Sequence, residues 1–434
     1  MICRYATAIF LFFLLSICAC PLFSAGYARA TLGNGLTVII IEDHSTDLVA
    51  VDVWVGAGSV NETKENNGVS HIIEHLLFAG STKYQPGVVD IEAETLGASL
   101  DAHTTRDWAR YSTTVAARFF PQAMNLLSEV VLHPTFPQDA LQREKMVILD
   151  EIARKQSLLS KVADDALWTA TAKIHPYALP IEGTPDNIKN LTRDQIQEYY
   201  NALYTSDNTT VVVVGDIFGN DVVKMIGKLF QNMPKTAKRS TIPDFTYPTS
   251  GSERTISMVG NQGTIGIGFA GPPANAYADV CAVDVLLAYL GYGYRSWMDE
   301  NLVSKDNVAT SSSADFLTHK YPGLLSLTLT GKNNNLEACK NKTLARLAEI
   351  CRDGITDADL HKARRSMLGQ FAFQNETFSG RANTYGFYDR ISDVEFGDSY
   401  IERVQAVTNE DIKRVANKYM SPELANVIII KSKD

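Results

Sequence analysis

The chain has 434 residues, of which 45% are hydrophobic and 21% are charged, so it can bury the cores of two or more domains and is not mainly disordered. Its net charge of -9 at pH 7, with no long basic run, argues against a nucleic acid as the principal ligand. An acidic protein of this kind is better suited to cationic ligands.

The first thirty residues have the pattern of a secretory signal peptide. Arg4 precedes an apolar run from Ile9 to about Cys20, and residues 28–30 (ARA) supply the small residues that signal peptidase recognises. This run is too short to span a bilayer, and no later segment is long and apolar enough to do so. We therefore expect an exported, periplasmic protein without a transmembrane helix in its mature part. The sequence around Cys20 also resembles a lipobox, so a lipid anchor on that residue is the alternative.

Three cysteines lie beyond this segment: Cys281, Cys339 and Cys351. The last two are twelve positions apart on one predicted helix, a separation of about 18 Å that no disulfide spans. We therefore expect neither a disulfide framework nor a cysteine metal site.

The first half of the chain predicts strands and helices in alternation. Residues 31–56 predict two strands, a helix follows over the segment HIIEHLLFAG at 71–80, and residues 98–116 alternate like one strand. Helices are predicted over about 119–132 and 138–160. Residues 191–216 then predict a helix, a turn and a β-branched strand.

This last helix-turn-strand unit recurs at the end of the chain, which indicates two related halves. The matching pairs are Thr192 with Thr408, Ile196 with Ile412, Tyr204 with Tyr419, and Ser206 with Ser421. Residues 235–251 are rich in Pro, Ser, Thr and Lys without an apolar period, so they predict a linker. We therefore predict an α+β protein of two homologous α/β sandwich domains, 31–234 and 252–434, each a mostly antiparallel sheet covered by helices.

The segment HIIEHLL combines an apolar helix with three ionisable side chains. His71, Glu74 and His75 share one stripe, while apolar residues cover the rest of the circumference. An unpaired carboxylate buried beside two imidazoles costs several kcal/mol, so a metal ion is the expected partner. Histidines bonded to core backbone are the alternative, but that leaves Glu74 unexplained. The order H-x-x-E-H is the inverted form of a common zinc-protease motif.

A catalytic zinc requires a third protein ligand and an open position for water. On the helix predicted at 138–160, Glu144 and Glu151 share a stripe with Ile148, so both carboxylates are expected to face the core. Such glutamates usually form a solvated edge, but the register with the apolar residue favours the inward orientation. His103 and His175 have suitable chemistry but no helical partner, and we assign them surface or structural roles.

Six segments in order carry a resemblance to a known family. They are TLGNGLTVII, WVGAGSVNET, GVSHIIEHLLFAGS, REKMVILDEI, HPYALPIEGT and NTTVVVVGD. The chain resembles the pitrilysin or insulinase-like zinc metallopeptidases, particularly their half-sized, processing-peptidase-like members. The resemblance is close over the N-terminal half.

The resemblance implies a set of site residues. His71, His75 and Glu151 would bind one zinc ion per chain, with Glu151 76 positions after His75 as in the family. Glu74 would be the catalytic base. Glu144 would support the histidine ligands from behind.

The resemblance also implies a substrate strand at Asp101, Ala102, His103 and Thr104, on which a peptide pairs as an extra strand. Family members usually carry asparagine in place of Asp101. The exchange keeps an acceptor and removes an amide donor.

The C-terminal half departs from the family pattern. Arg295 matches an arginine after a glycine-rich turn, but Val303 and Thr310 stand where self-sufficient family enzymes carry an Arg and a Tyr that reach the scissile carbonyl. Loss of one such donor costs about 3 kcal/mol of transition-state stabilisation, so a chain that lacks both should be a poor catalyst alone. We therefore predict a zinc endopeptidase subunit that acts on peptides or unfolded segments in a two-subunit chamber, with a homologous, zinc-free partner supplying the pair. A self-sufficient homodimer and a non-catalytic binding or scaffold subunit are the alternatives.

Overall fold

A computed structural model describes residues 22–24, 26–236, 241–293 and 295–433. The first half contributes seven strands, which are β1 (Leu22–Ser24), β2 (Tyr27–Thr31), β3 (Thr37–Glu42), β4 (Leu48–Val55), β5 (Leu100–Thr104), β6 (Ala109–Ala116) and β7 (Thr209–Gly215). Its helices are α1 (Val69–Leu77), α2 (Val88–Thr95), α3 (Phe120–Leu132), α4 (Gln138–Gln156), α5 (Leu159–Ala172), α6 (Pro185–Asn190), α7 (Arg193–Leu203) and α8 (Gly219–Leu229).

The second half contributes five strands, which are β8 (Ser252–Val259), β9 (Gly263–Ala270), β10 (Ser311–Asp315), β11 (Leu324–Gly331) and β12 (Asn426–Lys433). Its helices are α9 (Tyr277–Gly291), α10 (Leu336–Asp353), α11 (Asp357–Gln374), α12 (Phe378–Ile391), α13 (Val394–Ala406) and α14 (Asn409–Tyr419). A π-helical segment spans Asp299–Lys305. No helix in the described ranges has both the length and the apolar character needed to cross a membrane.

The five strands of the second sheet have the order of five of the seven strands of the first, β3-β7-β4-β6-β5. The first runs β1-β2-β3-β7-β4-β6-β5, and the second, read from its other edge, runs β8-β12-β9-β11-β10. In each sheet a single parallel pair, β3 with β7 or β8 with β12, is combined with otherwise antiparallel pairs. This arrangement confirms the predicted α+β class with two related, mostly antiparallel sheets covered by helices.

The repeated helix-turn-strand unit is equivalent in both halves down to its capping. Thr192 and Thr408 are the N-caps of α7 and α14, and each forms a reciprocal capping box with the residue three positions later. Ile196 and Ile412 are both fully buried beneath these helices. The same local chemistry therefore fixes the entry of both helices.

In each half, one helix packs against the sheet of the other half. Helix α12 packs on β4 and β7, and α5 packs on β9 and β12. Glycines allow the close approach, because a Cβ on Gly386 would overlap the Trp54 indole, and one on Gly268 would lie 2.8 Å from Leu167. The apolar cores of the two halves are therefore interleaved at their junction.

Two predicted elements differ from those in the structure. The single strand predicted at 98–116 is a hairpin, β5 and β6, whose turn is closed by Thr105, which accepts the Trp108 N–H at its hydroxyl. The single helix predicted at 138–160 ends at Gln156, and α5 begins after the extended residue Leu158. In the predicted linker, residues 241–251 contain no helix or strand, and 237–240 lie outside the described residues.

The predicted signal segment, 1–30, overlaps the described fold at its end. Residues 1–21 and 25 lie outside the described residues, but β2 pairs with β3 along the first sheet. Tyr27 is buried in the core, and Arg29 forms a 3.1 Å ion pair with Asp389 of the second half. A cut after Ala30 would remove four of the five residues of β2.

We expect a chain that begins at Thr31 to be less stable than one that begins at Gly26, by about 2–3 kcal/mol in the free energy of unfolding. The main cause is the loss of apolar surface buried by Tyr27. Urea denaturation of the two proteins measures the difference. Arg29→Gln removes only the more exposed of the two arginines that pair with the buried Asp389 and leaves Arg390 in place, so it should cost less than about 1 kcal/mol. Equal stability of the two truncated chains would contradict a structural role for β2.

Candidate active site

Helix α1 is held at its N-terminus by two glycines and a buried glutamate. Gly68 (φ 99°) and Gly183 (φ 81°) contact each other and both have left-handed backbone conformations. A Cβ on either glycine would overlap the backbone around the other. The Glu62 carboxylate accepts the N–H groups of Gly68 at 2.9 Å and Ser70 at 2.8 Å. These contacts fix the start of the helix that carries the histidine motif.

Helices α1 and α4 bring three potential ligand atoms to one point. Glu151 Oε2 lies 3.9 Å from His71 Nε2 and 3.8 Å from His75 Nε2, and the three ligand atoms all lie within 4.8 Å of one another. The apolar residue Ile148 of α4 is fully buried, as the stripe required. Within the described residues this is the one cluster of His, Cys, Asp or Glu with metal-binding spacing.

These groups fit a zinc ion. Two ligand atoms on a tetrahedral zinc lie about 3.3 Å apart, so small side-chain adjustments would close the present spacing. Burial, with the neighbouring His75, lowers the pKa of His71 to about 4, which keeps its imidazole neutral as a ligand must be. Two imidazoles and one carboxylate are also a donor set that catalytic zinc uses.

Glu74, the residue before His75 on α1, is not a member of this three-atom cluster but lines an open cleft together with His71. Burial raises the pKa of its carboxyl group, and its Oε2 atom has no hydrogen-bond partner. A partly buried carboxylate beside a metal cluster, with one oxygen that no protein group engages, is positioned to accept a proton from a water molecule.

Glu144 stands behind His75. The His75 Nδ1–H group donates to Glu144 Oε2 at 3.0 Å, which leaves Nε2 directed at the cluster. The carboxylate therefore sets both the tautomer and the ring orientation of His75.

We expect Glu144→Gln to weaken zinc binding by about 10–100-fold, because the amide is a poorer acceptor for the His75 proton. Competition with a chelator of known affinity measures the change. Asp150→Asn removes an exposed carboxylate from the same helix and should leave zinc affinity unchanged. Equal affinities for the two variants would contradict the orienting role of Glu144.

The predicted substrate strand is β5, an edge strand of the first sheet. Asp101 and His103 are exposed, Ala102 is partly buried and Thr104 is buried. His103 and Thr104 line an open cleft of about 340 Å³ together with His71 and Glu74. The Asp101 carboxylate accepts a 3.0 Å hydrogen bond from Arg110, so part of its acceptor capacity is used within the chain.

The second half closes the cleft through a buried network that the sequence did not indicate. Asp107, in the turn after β5, accepts hydrogen bonds from the Tyr177 hydroxyl, from His319 Nδ1–H at 2.8 Å and from the Lys320 N–H at 3.1 Å. His319 itself lines the cleft. Its partner lies 212 positions away, a separation at which no sequence pattern links two residues.

His175 lies outside the metal cluster. It is buried, with Nδ1 accepting the Tyr177 N–H at 3.2 Å, and burial lowers its pKa to about 4. Its ring packs against Phe245 and Tyr321. These contacts give it a structural role.

The three second-half positions singled out by the sequence stand apart from the cleft lining. Val303 packs against the second-half core, and the Thr310 N–H donates to the Thr330 carbonyl. Arg295 is 80% exposed and pairs with Glu300 at 3.3 Å. Of the described second-half residues that line the cleft, none is an arginine or a tyrosine.

The fold and the site together define a zinc-peptidase-like protein built from two related sandwich halves, with its histidine motif in the first. Family models agree: residues 37–185 match the insulinase model of peptidase family M16, and residues 190–367 match the model described as the peptidase M16 inactive domain. The chain belongs to the insulinase-like M16 peptidase family.

Three named relatives illustrate the similarity. The chain is 24% identical to the uncharacterized zinc protease YmxG of Bacillus subtilis, over 93% of this chain and 98% of that protein. It is 25% identical to the zinc protease PqqE of Helicobacter pylori, over 93% of both. It is 27% identical to the mitochondrial-processing peptidase subunit beta of Lentinula edodes, over 90% of this chain and 87% of that protein.

Solved structures have the same fold. The crystal structure of a protease from Helicobacter pylori superposes with a TM-score of 0.86 at 24% identity, covering 93% of this chain and 99% of that chain. A structure described as the peptidase M16 inactive domain from Pseudomonas fluorescens also gives 0.86, at 21% identity, with 94% and 98% covered. At these identities the likeness concerns the fold alone.

Proposed function

We propose that this chain is the zinc-bearing subunit of an endopeptidase that cleaves peptides or unfolded segments in a chamber shared with a second, homologous subunit. The observation that carries the proposal is the convergence of His71, His75 and Glu151 on one point, with Glu74 in the adjoining cleft. The zinc-protease names of the Bacillus and Helicobacter relatives support the same class.

Each residue then has a defined task. Zinc held by His71, His75 and Glu151 would supply a Lewis acid for a water molecule and the scissile carbonyl. Glu74 accepts the proton of the attacking water and passes it to the leaving amine, a role that its raised pKa favours. Glu144 holds His75 in place.

The edge strand β5 provides the binding surface for the substrate backbone. Its outer edge is unpaired by any described strand, and His103 and Thr104 at its end line the cleft beside Glu74. An extended peptide that pairs with β5 would therefore pass directly over the proposed base. Such a mode selects extended or unfolded segments, because a folded protein offers no free strand.

A second subunit is proposed because this chain lacks two hydrogen-bond donors that would stabilise the oxyanion. Val303 and Thr310 offer no charged or phenolic donor where the family pattern has an Arg and a Tyr. Absence of one such donor costs about 3 kcal/mol, or about 100-fold in rate. The relative from Lentinula edodes is named as a subunit, which supports an assembly with a homologous chain that carries the pair.

The test is to purify the full chain with and without the homologous chain that copurifies with it. We expect about one zinc per chain, slow chelator-sensitive cleavage of an unfolded peptide by the chain alone, and roughly a 100-fold increase with the partner. Full activity without any partner would replace the heterodimer by a homodimer. A chain that binds no zinc would be a non-catalytic scaffold subunit.

We also propose that the protein is exported to the periplasm, with a lipid on Cys20 as the alternative. The support is the apolar segment after Arg4 and the small residues that follow it. Cell fractionation and the mass of the mature N-terminal peptide test both forms. Recovery of the unprocessed chain from the cytoplasm would overturn export.

A further inference from the structure

Helix α9 carries two buried aspartates whose surroundings differ. Asp279 contacts Arg414, Lys418 at 2.9 Å and the Tyr419 hydroxyl at 2.6 Å. Asp284 accepts a hydrogen bond from the Tyr400 hydroxyl at 2.7 Å, and no lysine or arginine of the described chain forms an ion pair with it. One helix therefore contains a neutralised carboxylate and, five positions later, one without a cation.

The buried environment of Asp284 makes its ionisation without a nearby cation unfavourable. Burial raises its pKa to about 7, whereas for Asp279 the opposing effect of burial is outweighed by the hydrogen bonds and cations, so its pKa is lowered. A buried carboxylate is stabilised in its ionised form when a cation reaches it.

Asp284 lines an open cavity of about 700 Å³ in the second half. Six aromatic residues share the lining, namely Tyr292, Phe316, Phe371, Phe387, Tyr388 and Tyr400. Aromatic faces combined with a carboxylate form the kind of site that binds an ammonium or a guanidinium group, through cation–π attraction and a charge-assisted hydrogen bond.

The cavity adjoins the cleft of the metal cluster. Asp315 and Leu317, at and just after the edge strand β10, line both spaces. Leu317 is exposed, and Asp315 adds a second carboxylate on the path between them. A peptide lying in the cleft can therefore send a side chain into the cavity.

We propose that this cavity, the Asp284 pocket, binds a cationic group of the peptide substrate, a lysine ammonium or an arginine guanidinium. The inference rests on the proposed peptidase function, because the peptide backbone lies in the adjoining cleft. The pocket would select substrates by a positive charge at a distance from the scissile bond. Asp284 and Tyr400 are its positioning pair for that charge.

Binding in a non-cleaving protein tests the pocket separately from catalysis. The protein is the full chain with Glu74→Gln. The probes are two fluorescent, unfolded peptides of 20 residues that differ at a single position, which is lysine in one peptide and norleucine in the other. Fluorescence anisotropy should give roughly 10- to 100-fold tighter binding of the lysine peptide. Asp284→Asn should remove that preference and leave the affinity of the norleucine peptide unchanged.

The controls separate the pocket from general charge effects and from misfolding. Glu402→Gln removes an exposed carboxylate from α13, near Tyr400 in sequence, and should keep the preference. In Asp284→Asn the side-chain amide oxygen still accepts from the Tyr400 hydroxyl, and an unchanged melting temperature checks the fold. Equal affinities for the two peptides, or no saturable binding of either, would overturn the proposal.

A competition experiment uses free arginine amide to displace the bound lysine peptide. Displacement of the lysine peptide in the parent protein but not in Asp284→Asn would support the pocket as the cation site. Binding of arginine amide together with equal peptide affinities would assign the pocket to a free organic cation and contradict the peptide proposal. If the Glu74→Gln protein discriminates the peptides but the chain with Glu74 intact, tested with its partner, cleaves neither, the peptidase function is refuted and the pocket stands.

Discussion

Glu74→Gln is expected to lower the rate of peptide hydrolysis by about 10²–10⁴-fold while zinc stays bound. The glutamine keeps the shape of the side chain but has no lone pair basic enough to take the proton of the attacking water. The three proposed ligands are untouched, because Glu74 lies outside the cluster formed by His71, His75 and Glu151. Metal analysis by mass spectrometry and the initial rate of cleavage, measured on the same preparation, give both quantities.

The stability of this variant provides an internal check. Burial raises the pKa of Glu74, so its ionised form opposes folding at pH values above the folded pKa. A neutral glutamine should therefore leave the melting temperature of the zinc-free protein unchanged or raise it. Glu92→Gln, at an exposed position on α2, should affect neither rate nor metal content. Unreduced hydrolysis in Glu74→Gln would remove Glu74 from the proposed mechanism.

The local part of the site was readable from the sequence because helices impose a fixed spacing. The period of 3.6 residues placed His71 with His75, and Glu144 with Glu151, on single faces, and the structure brings these two faces together. Nothing in the periodicity states which helix packs against α1. The resemblance to a family supplied that step, and the contact between α1 and α4 now supports it.

Long-range features were not readable in the same way. The hairpin turn between β5 and β6 contains no glycine, proline or asparagine, and its closure depends on the Thr105 hydroxyl, so the alternation looked like one strand. The exchange of α5 and α12 between the halves was also hidden. The pattern of an amphipathic helix shows which face is buried but not which sheet covers it. Gly268 and Gly386 allow close packing only because Leu167 and Trp54 lie against them, and the sequence does not show that these residues are neighbours.

Asp107 joins the two halves beside the cleft. Burial alone would raise the pKa of its carboxyl group, but the hydrogen bonds and charge of His319, with those of Tyr177 and Lys320, lower it overall. A carboxyl group whose folded pKa is depressed stabilises the protein above its unfolded pKa of about 4, and this contribution is lost as the pH falls through the folded value. At neutral pH the full contribution is present.

Asp107→Ala is therefore expected to lower the free energy of unfolding by about 3–5 kcal/mol at pH 7, because the Tyr177 hydroxyl and the His319 Nδ1–H stay buried without their acceptor. Urea denaturation measures the loss, which should shrink toward acid pH. In a double-mutant cycle, His319→Ala should add less than its separate cost, since both changes break the same contact. Asp47→Asn, at an exposed loop position, should cost less than about 0.5 kcal/mol. Additive losses, or a loss below about 1 kcal/mol for Asp107→Ala, would mean that the apolar packing of α5 and α12, rather than this network, holds the halves together.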